Sequence, residues 1–296
     1  MKPAPFAYHA PATVAEALAT LAEYGDAAKV LAGGQSLVPV LSFRLAMPDH
    51  LVDINRLPGL DQIERTSAGW RIPALVRQRT AERAEALAST VPLLTEALTQ
   101  VAHPQIRNRG TICGSLAHAD SSAELPSVML ALDARMTIAG PSGVRTVPAA
   151  DFFQFHMTTA VEPDELLLAV EFDDPAPGSY AAFAEFAPRH GDFCLAGTAV
   201  SATFGAGGTV TGARVVVAGV APTPLRLPAV EELVLGTALD PGALTAAQRA
   251  AAQLIDPPGD IHADSAYRRQ LASVLVRRAL ATVQARRAGK DRDHAA

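Results

Sequence analysis

Residues 28–45 read AKVLAGGQSLVPVLSFRL and combine a strand, a turn and a helix start in one short segment. Ala28-Lys-Val-Leu-Ala32, which is apolar except for Lys29, predicts a short buried strand. Gly33-Gly34-Gln35-Ser36 predict a turn. Leu37 to Leu45 predict a helix, because Pro39 falls in its first turn, where a missing N–H does no harm. Around this stretch the chain alternates between patterns typical of helices and of strands.

Residues 32–37, here the first glycine segment, have a composition that suits an anion. Glycines let successive backbone N–H groups point into one concavity, and a helix start favours phosphate. Ser36 adds a hydroxyl donor. A Gly-Gly pair is equally typical of a plain tight turn. The chain contains neither GxGxxG nor GxxxxGK[ST], so neither a Rossmann fingerprint nor a Walker loop is supported.

A second small-residue stretch, residues 111–115, reads TICGS and is here the second glycine segment. We expect it to be a loop. Two such segments can hold one pyrophosphate without a lysine, because several amide dipoles surround it. The two glycine segments would therefore suit a dinucleotide held between two subdomains. Alternatively, they are two unrelated turns.

Several polar and aromatic residues near these segments could contact a ligand. His118, Asp120 and Glu124 lack the HExxH spacing of a metal site, and no GxSxG elbow is present. Asp120 and Glu124 are expected to accept hydrogen bonds from ribose or ribityl hydroxyls, or to cap the next helix. Phe193, after Arg189-His190-Gly191-Asp192, could cover a flat ring or belong to the core.

Composition narrows the class of protein. The 296 residues are 49% hydrophobic and 19% charged, which predicts packed globular domains rather than disorder. The net charge of −5 argues against a nucleic-acid-binding protein, because such proteins usually carry a basic surface for the phosphate backbone. Long apolar runs and a secretory signal are absent, so we expect a soluble cytoplasmic protein. Two cysteines, Cys113 and Cys194, cannot provide the four ligands of an iron–sulfur cluster.

Other elements follow from local signals. Thr13 and Glu16 form a capping box before a helix that Gly25 ends. The predicted helices include 80–88, 92–102, 125–133 and 265–286, and the predicted loop is 103–110. On the last helix, Arg268, Arg277 and Arg278 are expected on the solvated side, and Tyr267 with Leu271 on the apolar side. Residues 173–178 are the best linker candidate, and three strands follow it.

Together these segments resemble the FAD-binding medium subunit of molybdenum hydroxylases, in the family of the carbon monoxide dehydrogenase and xanthine dehydrogenase medium subunits. The resemblance covers nearly the whole chain. It is carried by AGGQSLVPVL (32–41), VDINRLPGL (52–60), IPALVRQ (72–78), TICGSLAHADSSAELP (111–126), DELLLAVEF (164–172), RHGDFCLAG (189–197) and DIHADSAYRRQLASVLVRRAL (260–280).

The resemblance implies an α+β fold. A two-subdomain FAD-binding domain of the vanillyl-alcohol-oxidase (PCMH) type would span 1–175, with subdomains of about 1–57 and 58–175. A smaller C-terminal domain of the CO dehydrogenase flavoprotein type, with a three-stranded antiparallel sheet, would span 179–287. Residues 288–296 would form a flexible tail.

The resemblance also implies the cofactor contacts, with FAD as the cofactor and no metal ligand in this chain. The implied diphosphate contacts are Ala32, Gly33, Gly34, Gln35, Ser36, Leu37, Thr111, Cys113, Gly114 and Ser115. Those on the ribityl and adenosine side are His118, Asp120 and Glu124, and those near the isoalloxazine are Leu166, Leu167 and Phe193. Gln35 stands where His is common, and Phe193 where Tyr also occurs. Cys113 stands where Gly is usual, which narrows the second segment.

The implied function is electron transfer. A large partner subunit would carry the molybdenum cofactor, and a small one two [2Fe–2S] clusters that supply electrons to FAD here. A dimer of such three-subunit units is usual in the family. No side chain of this chain is then expected to act as a catalytic acid or base. The alternatives are a self-contained flavin oxidase or dehydrogenase using His118 or His190, and a binding module that has lost its cofactor.

Overall fold

The computed structural model describes residues 1–293 and is of mixed α and β structure. The helices are α1 (Val14–Tyr24), α2 (Leu37–Ser42), α3 (Gln78–Glu82), α4 (Glu85–Thr90), α5 (Pro92–Gln100), α6 (Pro104–Arg107), α7 (Ile112–His118), α8 (Glu124–Ala131), α9 (Ala149–Phe152), α10 (Pro228–Val234), α11 (Pro241–Leu254) and α12 (Ser265–Asp293). Within residues 1–293, no helix combines the length and the apolar character that crossing a bilayer requires.

The strands are β1 (Ala7–His9), β2 (Ala28–Leu31), β3 (His50–Asp53), β4 (Glu64–Arg65), β5 (Gly69–Pro73), β6 (Arg135–Gly140), β7 (Gly143–Pro148), β8 (Phe153–Phe155), β9 (Thr158–Thr159), β10 (Leu166–Asp173), β11 (Ser179–Phe186), β12 (Ala196–Phe204), β13 (Val210–Ala218) and β14 (Leu225–Arg226).

The chain packs into two compact units. The first comprises Met1–Arg83, His103–Ala119 and Ala134–Asp173, and the second comprises Ala84–Ala102, Asp120–Asp133 and the chain from Asp174 onward. Two segments from the first half of the sequence thus pack within the second unit. The predicted division along the chain, at 175 and 179, rests on the resemblance and stays a prediction.

The first unit contains two main sheets. A parallel three-stranded sheet has the order β1-β3-β2, and an antiparallel five-stranded sheet has the order β4-β5-β10-β6-β7. Helix α1 packs on the parallel sheet. Thr13 caps it as predicted, its hydroxyl accepting the Glu16 N–H at 3.1 Å, but the Glu16 carboxylate accepts the Ala12 N–H at 2.8 Å rather than that of Thr13. The helix ends at Gly25, whose φ is +51°. Helix α7 packs against β5 and β10.

Four local predictions around this unit were wrong in detail. The predicted helix 80–88 is two short helices, α3 and α4, and the predicted loop 103–110 contains α6. The predicted loop at 111–115 is the start of α7. The helix predicted to reach Leu45 ends at Ser42, and Arg44 follows with φ of +57°.

The second unit is built on an antiparallel sheet of order β11-β12-β13-β14. The three predicted strands are confirmed. The predicted three-stranded sheet nevertheless has a fourth strand, the two-residue β14, which is too short to leave a pattern. Alternate strand residues such as Val200 and Val215 form one core with α10, α11 and α12, while α5 and α8 also contact the strands.

The long last helix differs from its prediction at two positions. Arg268 is buried, with 5% of its surface exposed, whereas Tyr267 is 45% exposed. Arg277 and Arg278 are exposed as expected. The helix continues to Asp293, so residues 288–293 of the predicted tail are helical, and the rest of that tail lies outside the described residues.

Candidate functional site

The first glycine segment is a close-packed turn between β2 and α2. Gly33 is buried, and a Cβ added to it would stand 2.4 Å from the Arg109 carbonyl oxygen and 2.7 Å from Gly110 Cα. Gly34 has φ of +74°, a conformation that L side chains rarely adopt. Both glycines are therefore required, the first by close approach of another backbone and the second by its own conformation.

Hydrogen bonds fix the shape of this turn. The Val38 N–H donates to the Gly34 carbonyl at 3.0 Å, which starts α2. Gln35 Nε2 donates to the Gly33 carbonyl at 3.1 Å. The amide of Gln35 therefore braces the turn of its own segment.

The second glycine segment forms the N-terminus of α7. Thr111 is the N-cap, and its hydroxyl accepts the Gly114 N–H at 3.0 Å. A Cβ on Gly114 would stand 2.6 Å from Thr111 Oγ1 and 3.9 Å from Ala32 Cβ. The second contact places the two glycine segments side by side within the first unit.

Cys113 does not narrow the second segment, contrary to expectation. Its Sγ donates to the Ile72 carbonyl at 3.4 Å, so the side chain points into the core toward β5. Burial raises the pKa of this thiol to about 12. Only the backbone of Cys113 is thus available to a ligand at the segment.

Two residues that the sequence did not single out link the first glycine segment to the backbone just before the second. Asn55 Nδ2 donates to the Ala32 carbonyl at 2.8 Å, and Asn55 Oδ1 accepts from Arg77 Nη2 at 2.7 Å. Arg77 Nη1 donates to the Arg109 carbonyl at 2.6 Å. Asn55 lies within the quoted stretch VDINRLPGL and Arg77 within IPALVRQ, but neither stretch reveals these partners.

A buried ion pair supports the backbone that faces Gly33. Arg107 Nε on α6 lies 2.9 Å from Glu82 Oε2 on α3, and Arg79 also pairs with Glu82 at 2.6 Å. Burial acts to raise the pKa of Glu82, but the hydrogen bonds from Arg107 and Arg79 outweigh burial and hold it below its ordinary value. The pair anchors α6 just before Arg109 and Gly110.

The remaining predicted contacts in the first unit are His118, Leu166 and Leu167. His118 is the last residue of α7 and is half-buried. Leu166 and Leu167 begin β10 and are 3% and 5% exposed within the protein. They pair in regular register with Ala139 and Ile138 of β6, which are buried as well, and the register shifts only after Leu167.

Asp120, Glu124 and Phe193 belong to the second unit. Asp120 Oδ1 accepts the Ser122 N–H at 2.8 Å, so this carboxylate shapes its own turn. Glu124 is the first residue of α8 and is buried. The Phe193 ring is 60% exposed, which excludes the core alternative and leaves a ring surface free to stack.

Within the second unit, the segments that carry these residues are joined. Cys194 Sγ donates to the Ser122 carbonyl at 3.2 Å, and the Gly219 N–H donates to the Ser121 carbonyl at 2.8 Å. Arg268 Nη1 in turn donates to the carbonyls of Leu195 and Gly219, at 2.9 and 3.1 Å. The buried arginine of α12 therefore supports the backbone two residues after Phe193 and the backbone at Gly219.

The residues present fit a dinucleotide diphosphate. The first unit brings two glycine segments into contact, with Gly33 at a position where no side chain fits and Gly34 at a positive φ. Backbone N–H groups at two helix starts are the donors that bind phosphate oxygens without cationic side chains.

Known proteins match the chain over almost its full length. Residues 4–175 match the family model for the FAD-binding domain in molybdopterin dehydrogenase, and residues 181–283 match that for the CO dehydrogenase flavoprotein C-terminal domain. The 6-hydroxypseudooxynicotine dehydrogenase complex subunit alpha of Paenarthrobacter nicotinovorans is 42% identical over 99% of this chain and 100% of its own. The carbon monoxide dehydrogenase medium chain of Hydrogenophaga pseudoflava is 38% identical over 97% of this chain and 99% of its own.

A solved structure agrees with these relatives. A chain of carbon monoxide dehydrogenase from Hydrogenophaga pseudoflava, in a form that lacks the Mo-pyranopterin moiety, superposes with a TM-score of 0.93. It is 39% identical, and the match covers 97% of this chain and 99% of that chain.

These findings confirm the predicted family, the α+β fold with its two domain types, and FAD as the cofactor. The protein is a flavoprotein of the oxidoreductase class. The chain belongs to the family of molybdopterin dehydrogenase flavoproteins, in which an FAD-binding domain is followed by a CO dehydrogenase flavoprotein C-terminal domain.

Proposed function

We propose that this chain is the electron-transfer subunit of a molybdenum-containing hydroxylase. It holds FAD, receives electrons from [2Fe–2S] clusters of a small partner subunit and delivers them to an external acceptor. A large partner subunit carries the molybdenum cofactor at which the substrate is hydroxylated. The observation that carries the proposal is the contact between the two glycine segments, together with full-length relatives whose names describe medium chains and complex subunits.

The FAD contacts are proposed residue by residue. Backbone and hydroxyl groups of the first and second glycine segments hold the diphosphate, with Cys113 contributing its backbone only. His118, Asp120 and Glu124 face the ribityl and adenosine side. Leu166, Leu167 and Phe193 lie near the isoalloxazine, where the exposed Phe193 ring offers a stacking surface.

In this proposal the protein holds FAD in position and sets the electrostatic environment around it. FAD itself supplies the chemistry when bound, because it accepts electrons singly or in pairs. The close-packed Gly33 holds the segment's backbone against residues 109–110, and the Thr111 cap fixes the start of α7. No side chain of this chain is proposed to move a proton to or from the organic substrate.

The cysteines support an external source of electrons. Two thiols cannot complete a four-ligand cluster. Both are also buried, with Cys113 directed toward Ile72 and Cys194 toward Ser122. The clusters that reduce FAD therefore belong to another chain in this proposal.

Reconstitution tests the proposal. The purified chain should bind about one FAD per molecule and show no hydroxylase activity alone. Purification together with its native neighbours should yield a complex containing flavin, iron and molybdenum. Robust oxidation of an organic substrate by the isolated chain would overturn the proposal in favour of a self-contained flavoenzyme. A chain that cannot be loaded with FAD would overturn it altogether.

A further inference from the structure

Asn55 occupies a central place beside the two glycine segments. Its Nδ2 donates to the Ala32 carbonyl at 2.8 Å and to Asp53 Oδ1 at 2.6 Å, while its Oδ1 accepts from Arg77. These contacts satisfy both ends of the amide and fix its orientation. The side chain therefore bridges the first glycine segment and Arg77.

Arg77 completes the link to the second segment. Its Nη1 donates to the Arg109 carbonyl at 2.6 Å, and that oxygen is the atom a Cβ on Gly33 would strike. Its backbone also forms a bridge with Thr111, the cap of α7. One continuous series of bonds thus runs from the Ala32 carbonyl through Asn55 and Arg77 to the Arg109 carbonyl. We call this series the Asn55–Arg77 clasp.

Asp53 anchors the clasp to the parallel sheet. Its carboxylate accepts the Tyr8 hydroxyl at 2.5 Å and the Asn55 N–H at 2.9 Å. Burial acts to raise the pKa of Asp53, but these hydrogen bonds and the charge of Arg56 outweigh burial and hold it below its ordinary value. The carboxylate is therefore ionised at neutral pH and orients the Asn55 amide.

We propose that Asn55 and Arg77 are positioning residues for FAD, which hold the two glycine segments at the spacing that the diphosphate needs before it binds. The proposal rests on the proposed function. Its physical basis is pre-organisation: a site fixed in its bound shape avoids the entropy cost of ordering on binding. Loss of the clasp should weaken FAD binding more than it weakens the fold.

The test compares Asn55→Ala, Arg77→Met and their double variant with Arg83→Met, a control at an exposed arginine outside the clasp. Full-length apoprotein is titrated with FAD and, separately, with ADP, and its unfolding by urea is measured. We expect the dissociation constants for both nucleotides to rise about 10- to 100-fold in the clasp variants. The double variant should lose no more than the more severe single one, because the bonds form one series.

A second readout separates positioning from general damage. The FAD that remains bound at saturation should keep the wild-type visible band positions, because the clasp touches the proposed diphosphate segments and not the ring. Arg77→Lys, which keeps one charged donor, should recover part of the affinity. If Arg77→Met does not fold, Asn55→Ser and Arg77→Lys take its place. Their FAD and ADP dissociation constants, urea unfolding and visible bands then test the proposal.

Two results would refute the role of the clasp alone. A third would refute the proposed function as well. Wild-type affinity in the clasp variants, or a loss of affinity matched by equal loss of apoprotein stability and shifted flavin bands, would refute the clasp alone. Failure of the wild-type chain to bind FAD would refute the proposed function and the clasp together.

Discussion

Gly33 faces the Arg109 carbonyl so closely that an added Cβ would stand 2.4 Å from the oxygen. Residues 76 positions apart in sequence thus meet backbone to backbone. The contact exists only because one partner has no side chain, and it places the first glycine segment against the residues that lead into the second.

Replacing Gly33 with alanine should separate the two segments. The added methyl group must displace backbone, which costs about 1–3 kcal/mol. We expect FAD affinity to fall about tenfold or more, measured by titration of the apoprotein. Gly207→Ala is the matched control, since a Cβ there meets nothing within 4 Å. If Gly33→Ala and Gly207→Ala bind FAD with equal affinity, the close approach of Gly33 to Arg109 is not needed for FAD binding.

Glu185 should make stability depend on pH. Its Oε2 is buried and has no hydrogen-bond partner among the described residues, and burial raises its pKa to about 7. The unfolded value is about 4.3. Between these values the folded state holds a proton that the unfolded state releases, so stability falls as pH rises.

Glu185→Gln should remove this dependence. The melting temperature of the wild type should fall from pH 5 to pH 8 more steeply than that of the variant, while Glu232→Gln, at an exposed site, should follow the wild type. Parallel pH curves for the wild type and Glu185→Gln would mean that Glu185 is ionised in the folded state across this range.

Both thiols should resist modification in the folded protein. Burial raises the pKa of Cys113 to about 12, and burial with the nearby Glu185, Glu124 and Asp120 charges raises that of Cys194 well above its ordinary value. Thiolates are the reactive species, so an aromatic disulfide reagent at pH 8 should react only after unfolding, then releasing two equivalents per chain. Rapid reaction of the native protein would show that a thiol is accessible and ionised.

Arg268→Met should destabilise the second unit. The substitution leaves the Leu195 and Gly219 carbonyls without their donor and removes the 2.6 Å pair with Asp260. We expect a loss of about 3 kcal/mol in the free energy of unfolding, measured in urea. Arg278→Met, at an exposed position of the same helix, should change stability little. A similar stability for both variants would contradict the supporting role of Arg268.

The sequence predicted what depends on short-range signals. Gly33 and Gly34 mark the first segment because few backbone conformations connect a strand tightly to a helix. Thr13 with Glu16 marks the start of α1. The start of α7 was misread as a loop because Cys113, Gly114 and Ser115 have low helix propensity. Thr111 was the available signal, as a capping residue three positions before Gly114.

Long-range partners could not be predicted. Helical periodicity placed Arg268 toward solvent, but the carbonyls that it binds lie 73 and 49 residues away in sequence. Asn55 and Arg77 acquire their roles only when Ala32 and Arg109 are brought beside them. Local pattern carries no information about a hydrogen bond whose two ends meet only in the folded chain.

A crystal structure of the FAD-loaded protein would show directly whether both glycine segments hold the diphosphate. We expect the diphosphate to contact backbone N–H groups of both segments, residues 32–37 and 111–115. A diphosphate that contacts only one segment, or that lies elsewhere on the protein, would contradict this expectation.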